Sequence, residues 1–235
     1  MRVEHKKFGI VLPSYMYNTR RCQLADAAFQ SLAKTEPLQE ETTLLLLIKG
    51  PASNYQMHLE QLKTKFHLIV KTDEGLSGTE QTLAFGTQWL FENFGVDYVT
   101  WMGDDALFNP YWLWKLAGLI ERHPDAVSWS VYRSSFEWIH KTLKEEGEDV
   151  LVRSICGHGL TLSKKEWTEW KIDWHKQAWW APDGDTLDLV HVDERKGERW
   201  VTKRSFIQHT SPHEGTHCTV NTPEYANAFV AEAEE

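Results

Sequence analysis

The sequence predicts an α/β fold in which a mixed, mostly parallel sheet is flanked by helices. Three observations predict it. Between Lys7 and Tyr132, short apolar runs alternate four times with stretches of helical length. The second run, Thr42–Ile48, is close to continuous in Leu and Ile, as strands of parallel sheets buried on both faces are, rather than alternating apolar with polar. Each run also stops at Pro, Gly or acidic residues, which end strands at the rim of a sheet.

The elements follow in chain order. Lys7–Leu12 (KFGIVL) is a buried strand, stopped by Pro13 and Ser14. Asn18 or Thr19 caps a helix from about Arg20 to Lys34, with Leu24, Ala27, Ala28, Ser31 and Leu32 on its apolar side. Thr42–Ile48 is the second strand, ended by Lys49-Gly50-Pro51, and Asn54–Lys65 is a helix. Phe66–Lys71 is the third strand, Gly75-Leu76-Ser77-Gly78 a loop, and Thr79–Phe94 an amphipathic helix. Tyr98–Met102 is the fourth strand and runs into Gly103-Asp104-Asp105. Pro110 opens a helix to Arg122, a position that suits proline, and Ala126–Tyr132 is a further strand. The second half is less regular. Trp138–Gly147 reads as a helix with a charged end. Leu151–Ser154 and Gly159–Leu162 read as short strands, and a helix runs from Ser163 to about Trp170, with Ser163 and Glu166 at capping-box spacing. Trp174–Trp180 is a Trp-rich loop and Asp185–Val192 a helical stretch. Trp200–Gln208 alternates and ends in His209, and the tail from Pro223 is an acidic terminal helix or a frayed end.

Composition narrows the class. The 235 residues, 41% hydrophobic and 25% charged, are ordinary for a globular chain and exclude wholesale disorder. Neither a repeat nor a linker divides them, so one domain over 1–235 is expected. Lys and Arg number 25 against 34 Asp and Glu, a net charge of −9, which argues against broad charge-driven nucleic-acid binding. The longest aliphatic run, Leu44–Ile48, is far short of the about 20 residues of a membrane span, so no integral membrane association is expected. The charged start MRVEHKKFGI lacks the apolar core of a signal peptide. Three widely spaced cysteines, Cys22, Cys156 and Cys218, do not make a disulfide framework, and the expected compartment is the cytoplasm. The 12 Trp are many for this length and serve either as core or as stacking surfaces for a sugar or a base.

In parallel sheets ligands bind at the carboxyl ends of the strands. There stand Pro13-Ser14-Tyr15, Lys49-Gly50 and Gly103-Asp104-Asp105. Two adjacent carboxylates repel each other unless a cation or donors compensate. Asp104 and Asp105 therefore either cap the turn before the Pro110 helix or, with a hard divalent ion such as Mg²⁺ or Mn²⁺, hold a diphosphate.

Five segments in order decide between these readings. FGIVLPSYMYNTRRCQLADAAFQSL, LSGTEQTLAFG, DYVTWMGDDALFNPYWL, ICGHGLTLSKKEW and RSFIQH resemble the successive motifs of family-2-like glycosyltransferases of the GT-A fold, over most of residues 7–210. The resemblance implies a GT-A-like single domain. About 1–132 would bind the nucleotide sugar, about 133–222 the acceptor, with 223–235 a C-terminal tail. It implies a metal-dependent transfer of a sugar from a nucleotide-sugar donor, UDP-sugar favoured, to an acceptor hydroxyl, with inversion. Donor contacts would come from Pro13, Ser14, Tyr15 and Arg20 in the first motif, from Gly78 and Thr82 in the second, and from Asp104. Asp105 and His209 would ligate Mn²⁺ or Mg²⁺. The chain departs from the family in two places. The first Asp of the metal motif falls at Gly103, and Lys49-Gly50-Pro51 stands where an Asp usually contacts the base.

Transfer also needs a base, and a carboxylate can accept the acceptor proton. In the resembling family an acidic pair lies between the acceptor-half helix and the final His strand. Asp185, at a helix start, is the expected base and Asp183 the runner-up, with Asp193 next; the alternative is a plain Asp-Gly turn. Trp179 and Trp180 offer a flat apolar wall to an acceptor, or pack in the core. His158, between Gly157 and Gly159, is either an acceptor contact or a structural histidine. His209, His213, His217 and Cys218 have zinc-like spacing, but Pro212 and Gly215 interrupt any single helix and no second Cys pairs with Cys218 nearby. Lys164-Lys165, Arg195-Lys196, Arg199 and Lys203-Arg204 are either phosphate contacts or a solvated face. The acceptor itself is open between a saccharide, a small molecule, a protein and a hydroxylated base in DNA. Two other functions stay in view. A sugar nucleotidyltransferase would carry a Gly-rich basic loop after the first strand, which PSYMYNTRR lacks in glycine. A non-catalytic carbohydrate- or nucleic-acid-binding module would fit Gly103.

Overall fold

The computed structural model describes residues 6–38, 41–72, 79–134, 140–155, 158–169, 196–210 and 229–231. The first half alternates as the sequence predicts: β1 (Phe8–Tyr15), α1 (Thr19–Leu32), β2 (Thr43–Lys49), α2 (Gln56–Lys63), β3 (His67–Thr72), α3 (Thr79–Asn93) and β4 (Tyr98–Trp101). There follow β5 (Ala106–Phe108), α4 (Trp112–Arg122), β6 (Ser128–Ser130), β7 (Thr142–Glu146), β8 (Asp149–Val152), β9 (Thr161–Ser163), α5 (Lys164–Glu169), β10 (Arg199–Thr202) and β11 (Ile207–His209). Among the described residues nine strands form one sheet in the order β3-β2-β1-β4-β9-β6-β10-β8-β7, and β5 and β11 form a second, two-stranded one. The first four strands are parallel, while β9 enters antiparallel between β4 and β6. This insertion joins the two halves of the chain edge to edge, and with β8, antiparallel to both β10 and β7, it makes the sheet mixed.

The continuous apolar runs are explained by burial on both faces. Ile10, Leu12, Leu44 and Leu46 pack with α1, α2 and α4, whereas Val11, Leu45 and Leu47 pack with α3. Asn18 caps α1, its Oδ1 accepting from the Arg21 N–H at 2.9 Å. The buried face of α1 carries Arg21, Leu24, Ala25, Ala28, Phe29 and Leu32; Ala27, expected there, is exposed. Ser163 Oγ accepts from the Glu166 N–H at 3.0 Å, as the capping-box spacing predicts. No helix among the described residues is long and apolar enough to cross a membrane.

Three expectations need correction, and a fourth point is a strand that was not foreseen. Pro13 does not stop the first strand, which pairs with β2 as far as Tyr15. Val11 is the last β1 residue paired with β4, and its carbonyl accepts from Met102 N–H. Backbone groups alternate sides along a strand, so the missing N–H of Pro13 points where β4 has already left. Secondly, within the stretch expected as a helix, Thr142–Glu146 is an edge strand, exposed throughout, in a hairpin with β8. A two-residue loop, Gly147-Glu148, closes it, with Gly147 at φ +61°. Such loops need positive φ, which glycine supplies. The charges that suggested a helix end instead protect an open sheet edge. Thirdly, Trp200–Gln208 is two strands in two sheets, β10 and β11. Fourthly, β5 has no counterpart in the sequence reading. Its three residues are too few to show a period, and only pairing with β11 defines them.

Candidate functional site

Parallel pairing of β1 with β4 brings the end of β1 beside Asp104 and Asp105. Antiparallel pairing of β5 with β11 places His209 opposite Ala106, next to Asp105. The Asp105 carbonyl accepts from the N–H of Thr210 at 2.7 Å and from its hydroxyl at 2.8 Å, which locks that register.

The two acids have different surroundings. Asp104 is 2% exposed. Its Oδ2 accepts from the Ser14 hydroxyl at 2.7 Å and the Tyr15 N–H at 3.0 Å, and its Oδ1 pairs with Arg21. It is a tether between β1, α1 and β4. Burial and the charge of Asp105 push its carboxyl up, against the pull of Arg21, Ser14 and Tyr15. Asp105 Oδ2 lies 3.3 Å from Arg21 Nη1 and 3.4 Å from His209 Nε2. Burial opposes its charge too, but the His209 hydrogen bond and the charges of His209, His158 and Arg21 outweigh it, holding Asp105 well below the usual carboxylate range. Burial likewise disfavours the Arg21 cation, and the two carboxylates more than compensate.

His158 completes the cluster. Its ring lies 4.1 Å from that of His209, and one ligand atom each of Asp105, His158 and His209 falls within 4.8 Å of the others. Two backbone features hold His158 there. The following Gly159 N–H donates to the Trp101 carbonyl at 2.8 Å. Gly103 leaves room: a Cβ at 103 would come within 2.6 Å of Asp105 Oδ1 and 2.9 Å of His158 Cε1. The position where the resembling family carries its first acid is thus given up here to an imidazole. One carboxylate and two imidazoles, converging without filling a coordination shell, fit a divalent ion.

The sequence-named residues divide as follows. Ser14, Tyr15, Asp104, Asp105 and His209 come together, and His158 joins Asp105 and His209. Pro13 lies one residue before this group, buried in β1. Arg20 is exposed on α1; the basic residue that reaches the acids is Arg21. Thr82 is wholly buried in α3. Gly78, Trp179, Trp180, Asp183 and Asp185, with Asp193, lie outside the described residues.

Two residues were missed. Arg21 stands three before Leu24 and four before Ala25, so a cation on the apolar face of a helix was the legible signal. Tyr55 left none. Its buried hydroxyl accepts from the Met16 N–H at 3.0 Å and lies 3.0 and 3.1 Å from the carbonyls of Ser14 and Lys49, tying the ends of β1 and β2 behind Asp104. Burial pushes its phenol up, so it stays a neutral donor.

No protein-family model and no curated protein sequence matches the chain. Solved structures do. TarS of S. aureus superposes with a TM-score of 0.61 at 14% identity, over 86% of this chain and 36% of TarS. TarS 1–349 in complex with UDP gives 0.58 at 15% identity, over 86% of this chain and 59% of that one. GalNAc-T7 with UDP, GalNAc and Mn²⁺ gives 0.59 at 11% identity, over 85% and 43%. The chain thus spans between 36% and 59% of the length of these structures. At such identities the likeness is one of fold, and it agrees with the mixed sheet and flanking helices described above: this chain has the GT-A-like glycosyltransferase fold.

Proposed function

We propose that the chain is a metal-dependent glycosyltransferase that moves a sugar from a nucleotide-sugar donor, a UDP-sugar by preference, to an acceptor hydroxyl with inversion. The observation that carries this reading is the convergence of Asp105, His158 and His209 at the carboxyl end of β4, beside the end of β1. Two of the fold's neighbours support it, one in complex with UDP and one with UDP, GalNAc and Mn²⁺.

Asp105, His158 and His209 would hold Mn²⁺. A bound divalent ion supplies positive charge against the departing diphosphate. The chain's own residues do the rest. Ser14, Tyr15 and Arg21 fix Asp104, and with it the rim of β1 against β4. That rigidity matters, because misplacing a reacting group by about 1 Å can cost about a hundredfold in rate. Asp185 would accept the acceptor's proton, with Asp183 the alternative, and a positioned carboxylate contributes roughly 10²–10⁴-fold. Trp179 and Trp180 would wall the acceptor side.

The test is calorimetry with UDP in the presence and absence of Mn²⁺. The wild-type chain is expected to bind UDP more tightly with Mn²⁺, and Asp105→Ala to lose that metal dependence while keeping its fold. An Asp105→Ala protein whose UDP affinity still responds to Mn²⁺ would remove the metal centre from this reading.

A further inference from the structure

We propose that Arg21 is a built-in cation that weakens binding of the metal alone and makes metal and nucleotide binding depend on each other. This rests on the reading of Asp105, His158 and His209 as a divalent-metal centre. The Arg21 side chain is 8% exposed and reaches both acids, pairing with Asp104 Oδ1 and lying 3.3 Å from Asp105 Oδ2. The same Asp105 oxygen faces His209 Nε2 at 3.4 Å. Asp104 Oδ2 is taken by Ser14 and Tyr15. Of the pair, Asp105 is therefore the acid that turns an oxygen to the histidines, and it shares that oxygen with a guanidinium. A guanidinium stays protonated in proteins, so this charge is permanent.

The consequence follows from counting charge. With His158 and His209 neutral, as ligands to a metal are, two carboxylates and one guanidinium leave the centre with one negative charge. A divalent ion converts that to one positive charge in a largely desolvated place, where like charges repel strongly. A bare ion therefore binds against Arg21. A diphosphate, with several negative charges, is drawn by both cations and relieves their repulsion. Metal thus favours nucleotide and nucleotide favours metal by the same factor, as linkage requires. An Arg21 that merely shaped the site would act in the opposite sense, since its loss would disorder Asp104 and weaken the metal.

The experiment titrates Mn²⁺ into the full chain, alone and with saturating UDP, following free Mn²⁺ by electron paramagnetic resonance. Arg21→Met is expected to bind Mn²⁺ alone about tenfold more tightly than wild type, a typical coupling factor. Its gain in Mn²⁺ affinity on adding UDP should shrink by a similar factor. Arg21→Lys keeps the charge and should stay near wild type on both counts. Arg21→Gln, which can still hydrogen-bond Asp104, repeats the test should Arg21→Met not fold. Weaker or unchanged Mn²⁺ binding in a folded uncharged variant overturns the proposal, as does failure of both uncharged variants to fold while Arg21→Lys folds. Wild-type protein that binds no Mn²⁺, with or without UDP, overturns the metal centre itself, and Arg21's role with it.

Discussion

Gly103 shows how one side chain's absence decides a site. It follows the strand β4 and precedes the two acids, and the atoms that a Cβ would meet belong to Asp105 and His158. Contact under 3.0 Å forces one of them to move, and both are proposed ligands. Gly103→Ala is therefore expected to lower Mn²⁺ affinity by about ten- to a hundredfold, the usual scale for disturbing the supports of metal ligands. Its urea midpoint should stay near wild type. Equal Mn²⁺ affinity in Gly103→Ala would mean that His158 is no ligand. At this scale the sequence was partly legible. Asp105 and His209 were named from motif order. His158 was named for the acceptor side instead, because nothing local tells an imidazole in a Gly-His-Gly turn that it will face His209. Arg20 was named for the donor, and only the burial of one face of α1 shows that the neighbouring Arg21 is the cation that reaches the two acids.

At the scale of elements, the order and length of the apolar and helical stretches were enough to find the first four strands and their helices, although Pro13 does not end β1. The period failed where an element is exposed or very short. Thr142–Glu146 has no buried face, so its charges carried no signal of strand or helix. The hairpin depends instead on Gly147 at φ +61°. Gly147→Val places a β-branched residue in the left-handed region, at a cost of about 1–2 kcal/mol. The expected result is a lower urea midpoint at an unchanged slope, with Mn²⁺ affinity as in wild type, because β7 lies at the far edge of the sheet from β1. A variant as stable as wild type would show that the hairpin loop bears no strain from a side chain.

For the molecule as a whole, His140 sets a pH dependence of stability. Burial, with the charge of Arg133, pushes its imidazole down to about 3, and its Nδ1 accepts from the Ser134 N–H at 2.9 Å. The folded chain therefore keeps His140 neutral, while the unfolded chain protonates it near pH 6.5. Between those values the unfolded state holds more protons, so this stability is whole above pH 6.5 and is lost as pH falls toward 3. From pH 6.5 to 5 the loss amounts to about 2 kcal/mol, or roughly 1.4 kcal/mol per pH unit. Denaturant unfolding at pH 7 and 5 should show it, and His140→Asn, which keeps an acceptor near Nδ1, should flatten the difference. An equal loss in His140→Asn would assign the acid sensitivity to other groups. What the sequence by itself determined is local: which stretches are strands or helices, that the sheet is mostly parallel, and that acids stand at the end of β4. Each depends on the period of apolar residues and on the residues that terminate it, both readable within a dozen positions. Only the tertiary structure decided that β9 enters antiparallel beside β4, that β11 pairs with the three residues of β5, and that Arg21, His158 and His209 meet at Asp105. Those contacts join segments far apart in the chain, and their energy comes from mutual burial and charge, which no single segment carries alone.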